Sequence, residues 1–253
     1  MVWQRGIIDF FGFFKLFVPA VVNFLVPALL MHFAIPNLKP VASTEIVPMQ
    51  RGARRMIALF LLTIVTAVSF HNFLHLPPVL GMLTGLGYLQ LFGFYLRMSH
   101  QRRADSREMT PFDVFQQLAR AEWDTLLFFY GVILCVGGLG QLGYLALASD
   151  VIYSQWGATL ANVTVGLLSA IVDNIPVMFA VLTMNPEMNE TQWLLVTLTA
   201  GVGGSLLSIG SAAGVALMGQ ARGAYTFFGH FKWMPAIALG YVASIAVHLW
   251  LNG

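Results

Sequence analysis

Charge is scarce in this sequence. Aspartate, glutamate, lysine and arginine make up 9% of its 253 residues, where a water-soluble domain carries about a quarter. A chain so poor in charge cannot dress a globular surface, and that excludes a soluble domain. Cysteine is nearly absent as well. Cys135 stands alone inside an apolar run, which excludes an internal disulfide framework and a cysteine metal cluster. The net charge of +2 is small and its basic residues fall in short connections, so nucleic acid is not an expected partner. The six histidines (His32, His71, His75, His100, His230 and His248) are scattered without ligand spacing. No nucleophile and base pair, phosphate loop or metal-ligand constellation stands out, so the reading is not an enzyme and no cofactor is expected.

What is abundant is apolar. Hydrophobic types reach 58% and the mean hydropathy is +0.75. Apolar runs lie near residues 11–35, 56–73, 77–96, 125–147, 156–184, 193–218 and 233–251. Runs of roughly 20 residues suit membrane-crossing helices, and lipid admits only helices or closed barrels. The short alternating segments of a barrel are missing, so the expected fold is an all-α integral membrane protein with the bilayer as its first partner. The first run carries Phe11, Phe13, Phe14, Phe17, Pro19 and Pro27, which predicts a long, kinked span rather than a cleavable leader.

Basic residues orient the spans. The connection 36–55 holds Lys39, Arg51, Arg54 and Arg55 against Glu45, and the connection 97–124 holds Arg97, Arg102, Arg103, Arg107 and Arg120. Both are expected to face the cytoplasm. Simple alternation then puts Glu187 and Glu190 inside, and Arg222 and Lys232 outside, against the charge rule. The conflict disappears if residues 156–184 enter from outside, break at Asp173-Asn174-Ile175-Pro176 and return as a re-entrant hairpin. Residues 157–172 give about 24 Å of helix and 176–184 about 14 Å, which sets the turn at membrane depth. About six transmembrane helices and one re-entrant hairpin result.

The run 193–218 is also interrupted, by Gly201, Gly203, Gly204, Ser205, Ser208, Gly210, Ser211 and Gly214. Such small residues serve close helix packing. Two neighbouring discontinuous elements are also the pattern by which secondary transporters build sites at the bilayer midplane.

Asp173 is the one acid well inside an apolar run. An intramembrane carboxylate costs at least about 2.5 kcal/mol at the bilayer centre and needs a partner. A cation and a proton can compete for it, because burial favours the protonated form and a bound cation the ionised one. The plainer reading makes Asp173 the cap of the second hairpin helix, with Pro176 in its first turn. Asn174 and Ser169 add hard oxygens, which suit alkali cations. Ser205, Ser208 and Ser211 extend the set from the facing element, although a serine in a helix often bonds its own backbone. Lys15 is expected to snorkel or pair. The segment 110–124 reads as an interfacial amphipathic helix, and Trp3, Trp123, Trp193 and Trp250 as interfacial anchors.

Two stretches carry a family resemblance: SAIVDNIPVMFAVL from Ser169 to Leu182, and GVGGSLLSIGSAAGVALMGQARG from Gly201 to Gly223. They resemble the NhaD-type sodium/proton antiporters, of the superfamily that includes arsenite, citrate and dicarboxylate carriers. The resemblance implies the second half of an inverted-repeat transporter, with a first span and cytoplasmic linker over 1–55 and the transporter region over 56–253. It puts Ser169, Asp173, Asn174 and Pro176 in the hairpin motif. Gly203, Gly204, Ser205, Ser208, Gly210 and Ser211 fall in the broken helix. The cargo it implies is Na+ or Li+ against H+, in a bacterial inner membrane. Family members are about twice as long, so a separately encoded N-terminal half or a homo-oligomer is an expected partner. An organic-anion or oxyanion carrier and an inactive truncated fragment are the alternatives.

Overall fold

The computed structural model describes residues 1–34, 52–101, 123–221 and 223–253, and every regular element among them is helical. The protein is therefore all-α. Among the described residues, five helices are long and apolar enough to cross a membrane, judged by length and composition. They are Phe10–His32, in which a 3-10 stretch Phe10–Leu16 runs into α1 (Phe17–His32); α2 (Ala53–Leu74); α3 (Pro78–Gln101, apolar as far as Leu96); α4 (Trp123–Gln141); and Met234–Asn252. Between α4 and that last helix come α5 (Tyr144–Ser149), a π turn Asp150–Gln155, α6 (Ala158–Leu168), α7 (Asn174–Met184), α8 (Glu190–Gly203), α9 (Ala212–Gln220) and the short α10 (Phe227–Phe231). Met234–Asn252 is α11.

The chain forms two compact units, Met1–Leu38 with Asp124–Gly253, and Lys39–Trp123. In the second unit α2 and α3 pack along each other. Their contact depends on missing side chains: a Cβ on Gly81 would collide with the Ala67 backbone, and one on Gly85 with Thr63. Lipid offers helices no hydrophobic drive to associate, so close approach through small residues takes its place. Large apolar groups point outward instead, with Phe73 80% exposed.

The first unit is arranged around α8. Trp193, Leu194, Leu195, Val196, Leu198, Thr199, Ala200 and Gly203 are all buried, so this helix is covered over most of its circumference. A helix apolar all round belongs at the centre of its fold. Against it pack α1, α6, α7 and α11. Its N-terminus is capped by Asn189, whose side chain accepts the Gln192 N–H. Trp193, expected as an interfacial anchor, is instead 4% exposed and packs with Val181, Leu182 and Val196. The reason is its place on the inner helix, where an indole fills core volume; Trp250, on the outer α11, is 83% exposed. Lys15 pairs, as its span position suggested, with Glu190 at 2.8 Å. The amphipathic segment expected over 110–124 lies outside the described residues as far as position 122.

Candidate functional site

Two interruptions of helical structure meet in the first unit. The first is the turn between α6 and α7, residues 169–173. Each of its arms has 11 residues, about 16 Å, or half of a bilayer core of roughly 30 Å. The break comes earlier than the sequence pattern suggests. It opens at Ser169, where Ala170 and Ile171 tighten to i−3 bonds with Leu167 and Leu168, and it closes at Asp173. Pro176 does not form the break. It lies buried in the first turn of α7, where a missing N–H costs nothing because those donors have no partner inside the helix. Asp173 caps that helix: its carboxylate accepts the Ile175 N–H at 3.3 Å and is partly exposed.

The second interruption separates α8 from α9 over residues 204–211. Gly203 ends α8, Gly204 and Gly210 lie buried within the break, and Ser208 takes a left-handed backbone with φ +63°. Left-handed geometry costs a residue with a side chain about 1–2 kcal/mol, so neighbouring contacts must enforce it. Those contacts surround it. The Ser208 hydroxyl is 3.0 Å from the Tyr225 hydroxyl, which is 2.8 Å from His230 Nδ1, and His230 Nε2 is 2.8 Å from the Ser205 carbonyl oxygen.

Glycine brings the breaks together. A Cβ on Gly210 would collide with the carbonyl oxygens of Ser169 and Ala170, and one on Gly203 with the carbonyl of Gly166. Gly203 thus packs α8 onto α6, while residues 204–211 leave the helix. Ser169 is fully buried and donates its hydroxyl to the Ala200 carbonyl at 2.8 Å. Alongside, Thr199 donates to the Asn162 carbonyl at 2.8 Å and Tyr241 to the Val163 carbonyl at 2.9 Å, fixing α6 against α8 and α11.

The side chains singled out from sequence divide into engaged and available. Ser169 and Ser208 are engaged as above, and Ser205 donates to the Val202 carbonyl at 2.6 Å, bonding its own helix end. Asn174 lines a cavity of about 310 Å³ with Ile175, Met178, Thr197 and Gly201, and Trp3 and Phe13 close the wall. Ser211 precedes α9 without capping it through its side chain. Asp173, Asn174 and Ser211 thus retain oxygens for a guest. Tyr225 and His230 were not singled out by the sequence reading for this site. The one signal was their order in the run from Tyr225 to His230, five apart around a helix capped by Thr226.

The chain was compared with known proteins. The citrate transporter family matches residues 2–201. The "Na(+)/H(+) antiporter NhaD" of Alkalimonas amylolytica is 60% identical, covering 100% of this chain and 56% of that protein. The protein of the same name in Vibrio cholerae is 56% identical, again over 100% of this chain and 56% of its own length. "Sodium/proton antiporter 1" of Arabidopsis thaliana is 33% identical, over 98% of this chain and 44% of its own length. The chain spans about half the length of the curated relatives it matches. No solved structure matches it. With most of its length matched by that profile, the chain belongs to the citrate transporter family, a lineage of membrane carriers and not of enzymes.

Proposed function

We propose that this chain forms the cation and proton site of a sodium/proton antiporter of a bacterial inner membrane, built at the meeting of the α6–α7 turn and the break between α8 and α9. The observation that carries this reading is the seating of Gly210 on the Ser169 and Ala170 carbonyls, in the same turn as Asp173, which follows Ala170 by three residues. In this reading α6 and α7 are a re-entrant hairpin whose half-span arms put the turn near mid-membrane. Irregular backbone at that depth is tolerated where it is buried in protein or lines a cavity. Asp173 supplies the charge, while Asn174 and Ser211 supply neutral oxygens, a hard donor set for Na+ or Li+.

Exchange follows from competition. A proton on Asp173 removes the negative charge that attracts the cation, and a bound cation stabilises the ionised carboxylate against the proton. One carboxylate held by either species couples the two fluxes in opposite directions. The names of the relatives in Alkalimonas amylolytica and Vibrio cholerae support sodium and protons as the cargo.

The test is Asp173→Asn in a full-length context, assayed in everted vesicles from a host without its own sodium/proton antiporters. Sodium-dependent proton flux is expected to vanish; flux equal to the unaltered protein would remove the carboxylate from the mechanism. A second reading, an organic-anion carrier, is favoured by the family description as a citrate transporter. Half-helix N-termini such as that of α9 attract anions. Under that reading citrate competes for transport, and loss of Asp173 leaves anion uptake in place.

A further inference from the structure

We propose that Tyr225 and His230 are positioning residues for this cation site, holding the break between α8 and α9 in the one geometry that seats Gly210 on the hairpin turn and leaves Ser211 available. The proposal rests on the transport reading above and assigns work to two side chains outside the candidate ligand set.

The direction of the hydrogen bonds follows from the chemistry of their ends. A carbonyl oxygen only accepts, so His230 Nε2, 2.8 Å from the Ser205 oxygen and 3.3 Å from that of Leu206, must carry the proton. In the neutral ring Nδ1 is then an acceptor, and the Tyr225 hydroxyl at 2.8 Å must donate to it. With its proton committed, Tyr225 offers only lone pairs to Ser208, so Ser208 donates across 3.0 Å. The chain runs one way, from Ser208 through Tyr225 and His230 to the Ser205 carbonyl. It leaves the break at one residue and returns three residues earlier, closing a ring around 205–208.

That ring addresses the unusual features of the segment. Carbonyls freed where α8 ends lack helical partners, and His230 supplies a donor to two of them. Ser208 holds a left-handed backbone that its side chain resists, and its hydroxyl is fixed by Tyr225. Ile209 and Gly210 follow directly, so an untied Ser208 would let Gly210 leave the Ser169 and Ala170 carbonyls. His230 is itself placed by α10, where the Thr226 side chain accepts the Gly229 N–H at 3.2 Å. Its ring meets that of Tyr225 edge-on, with centroids 5.8 Å apart.

Two measurements test this. In the first, the protein is labelled with 15N-histidine and reconstituted in nanodiscs. The His230 signal, identified by its loss in His230→Gln, is expected to report a proton on Nε2 and to shift in Tyr225→Phe. In the second, sodium-dependent flux is read in everted vesicles, in the same full-length context as the Asp173→Asn test. His230→Ala and Tyr225→Phe are expected to raise the half-saturating sodium concentration about five- to tenfold with maximal rate retained, the scale of one lost hydrogen bond. His230→Gln, which restores an N–H donor toward Ser205, is expected to recover most of that loss. A role in folding alone would lower protein yield and maximal rate together without moving half-saturation. An Nε2 without a proton, or a Tyr225→Phe protein with unchanged His230 signal and unchanged sodium response, overturns the proposal. Failure of the transport reading is seen separately, in an Asp173→Asn protein whose flux matches the unaltered one, and the resonance measurement then still decides whether the pair holds the break.

Discussion

Serines 169, 205, 208 and 211 carry the same hydroxyl, and the fold gives them different work. Ser205 bonds the Val202 carbonyl and Ser169 the Ala200 carbonyl, while Ser211 does not cap its helix and Asn174 lines the cavity. Ser205→Ala is therefore expected to leave the half-saturating sodium concentration unchanged in vesicle flux assays. Asn174→Ala and Ser211→Ala are expected to raise it severalfold, each removing about one neutral oxygen contact worth roughly 1 kcal/mol. Ser169→Ala is expected to act on stability instead. It leaves the Ala200 carbonyl buried without its donor, at a cost of about 1–3 kcal/mol, read as a lower melting temperature in detergent. The place of Asp173 as the cap of α7 was legible in the sequence, because an aspartate followed three residues later by proline inside an apolar run marks a helix start. The division among the serines was not, since each partner is set by chain geometry. His230 was hidden for a related reason: its partner is a backbone carbonyl 25 residues away, and main-chain groups leave no mark in composition.

At the scale of elements, both interruptions were legible because glycine, serine and proline interrupt apolar runs that would otherwise be continuous. Their edges were not. The expected arms of about 24 and 14 Å are in fact equal at 11 residues each, because α6 tightens and ends at Leu168 and the Asp173 cap starts α7 ahead of Pro176. The burial of α8 was equally illegible, since an apolar helix facing lipid and one facing protein have the same composition. The contact between the two interruptions gives a paired prediction on two glycines of one segment. Gly210→Ala would put a methyl group into the Ser169 and Ala170 carbonyls, whereas a Cβ on Gly201 meets nothing within 4 Å. Gly210→Ala is expected to lower stability by about 1–3 kcal/mol, as overpacking does, and to abolish sodium-dependent flux. Gly201→Ala, inside α8, is expected to raise stability by about 0.5–1 kcal/mol through helix propensity. Thermal unfolding of the two proteins in the same detergent checks the opposite signs. A destabilised Gly201→Ala beside an unchanged Gly210→Ala would mean that the turn and the break do not touch.

At the scale of the whole molecule, the α6–α7 turn and the break between α8 and α9 make, in the proposed reading, one wall of a site. Carriers built from repeats expose such a site alternately by moving one repeat or bundle against another, and the chain spans about half the length of the relatives it matches. The described residues supply one pair of interrupted elements, α6–α7 and α8–α9, and the relative motion needs a second body. Binding and transport are therefore expected to separate. Asp173, Asn174 and Ser211 lie on this chain, so the purified chain by itself is expected to bind sodium weakly, measured by isothermal titration, with Asp173→Asn removing the heat. Sodium-dependent proton flux is expected to require coexpression with the N-terminal half of a relative such as the Alkalimonas amylolytica antiporter. With that half present, flux should appear and the apparent sodium affinity should rise, because oxygens from the facing repeat join the same ion. Robust flux from this chain reconstituted alone would show that the second body is another copy. A fixed mixture of active and Asp173→Asn chains decides between those two, since a site shared between copies loses activity faster than in proportion to the altered fraction.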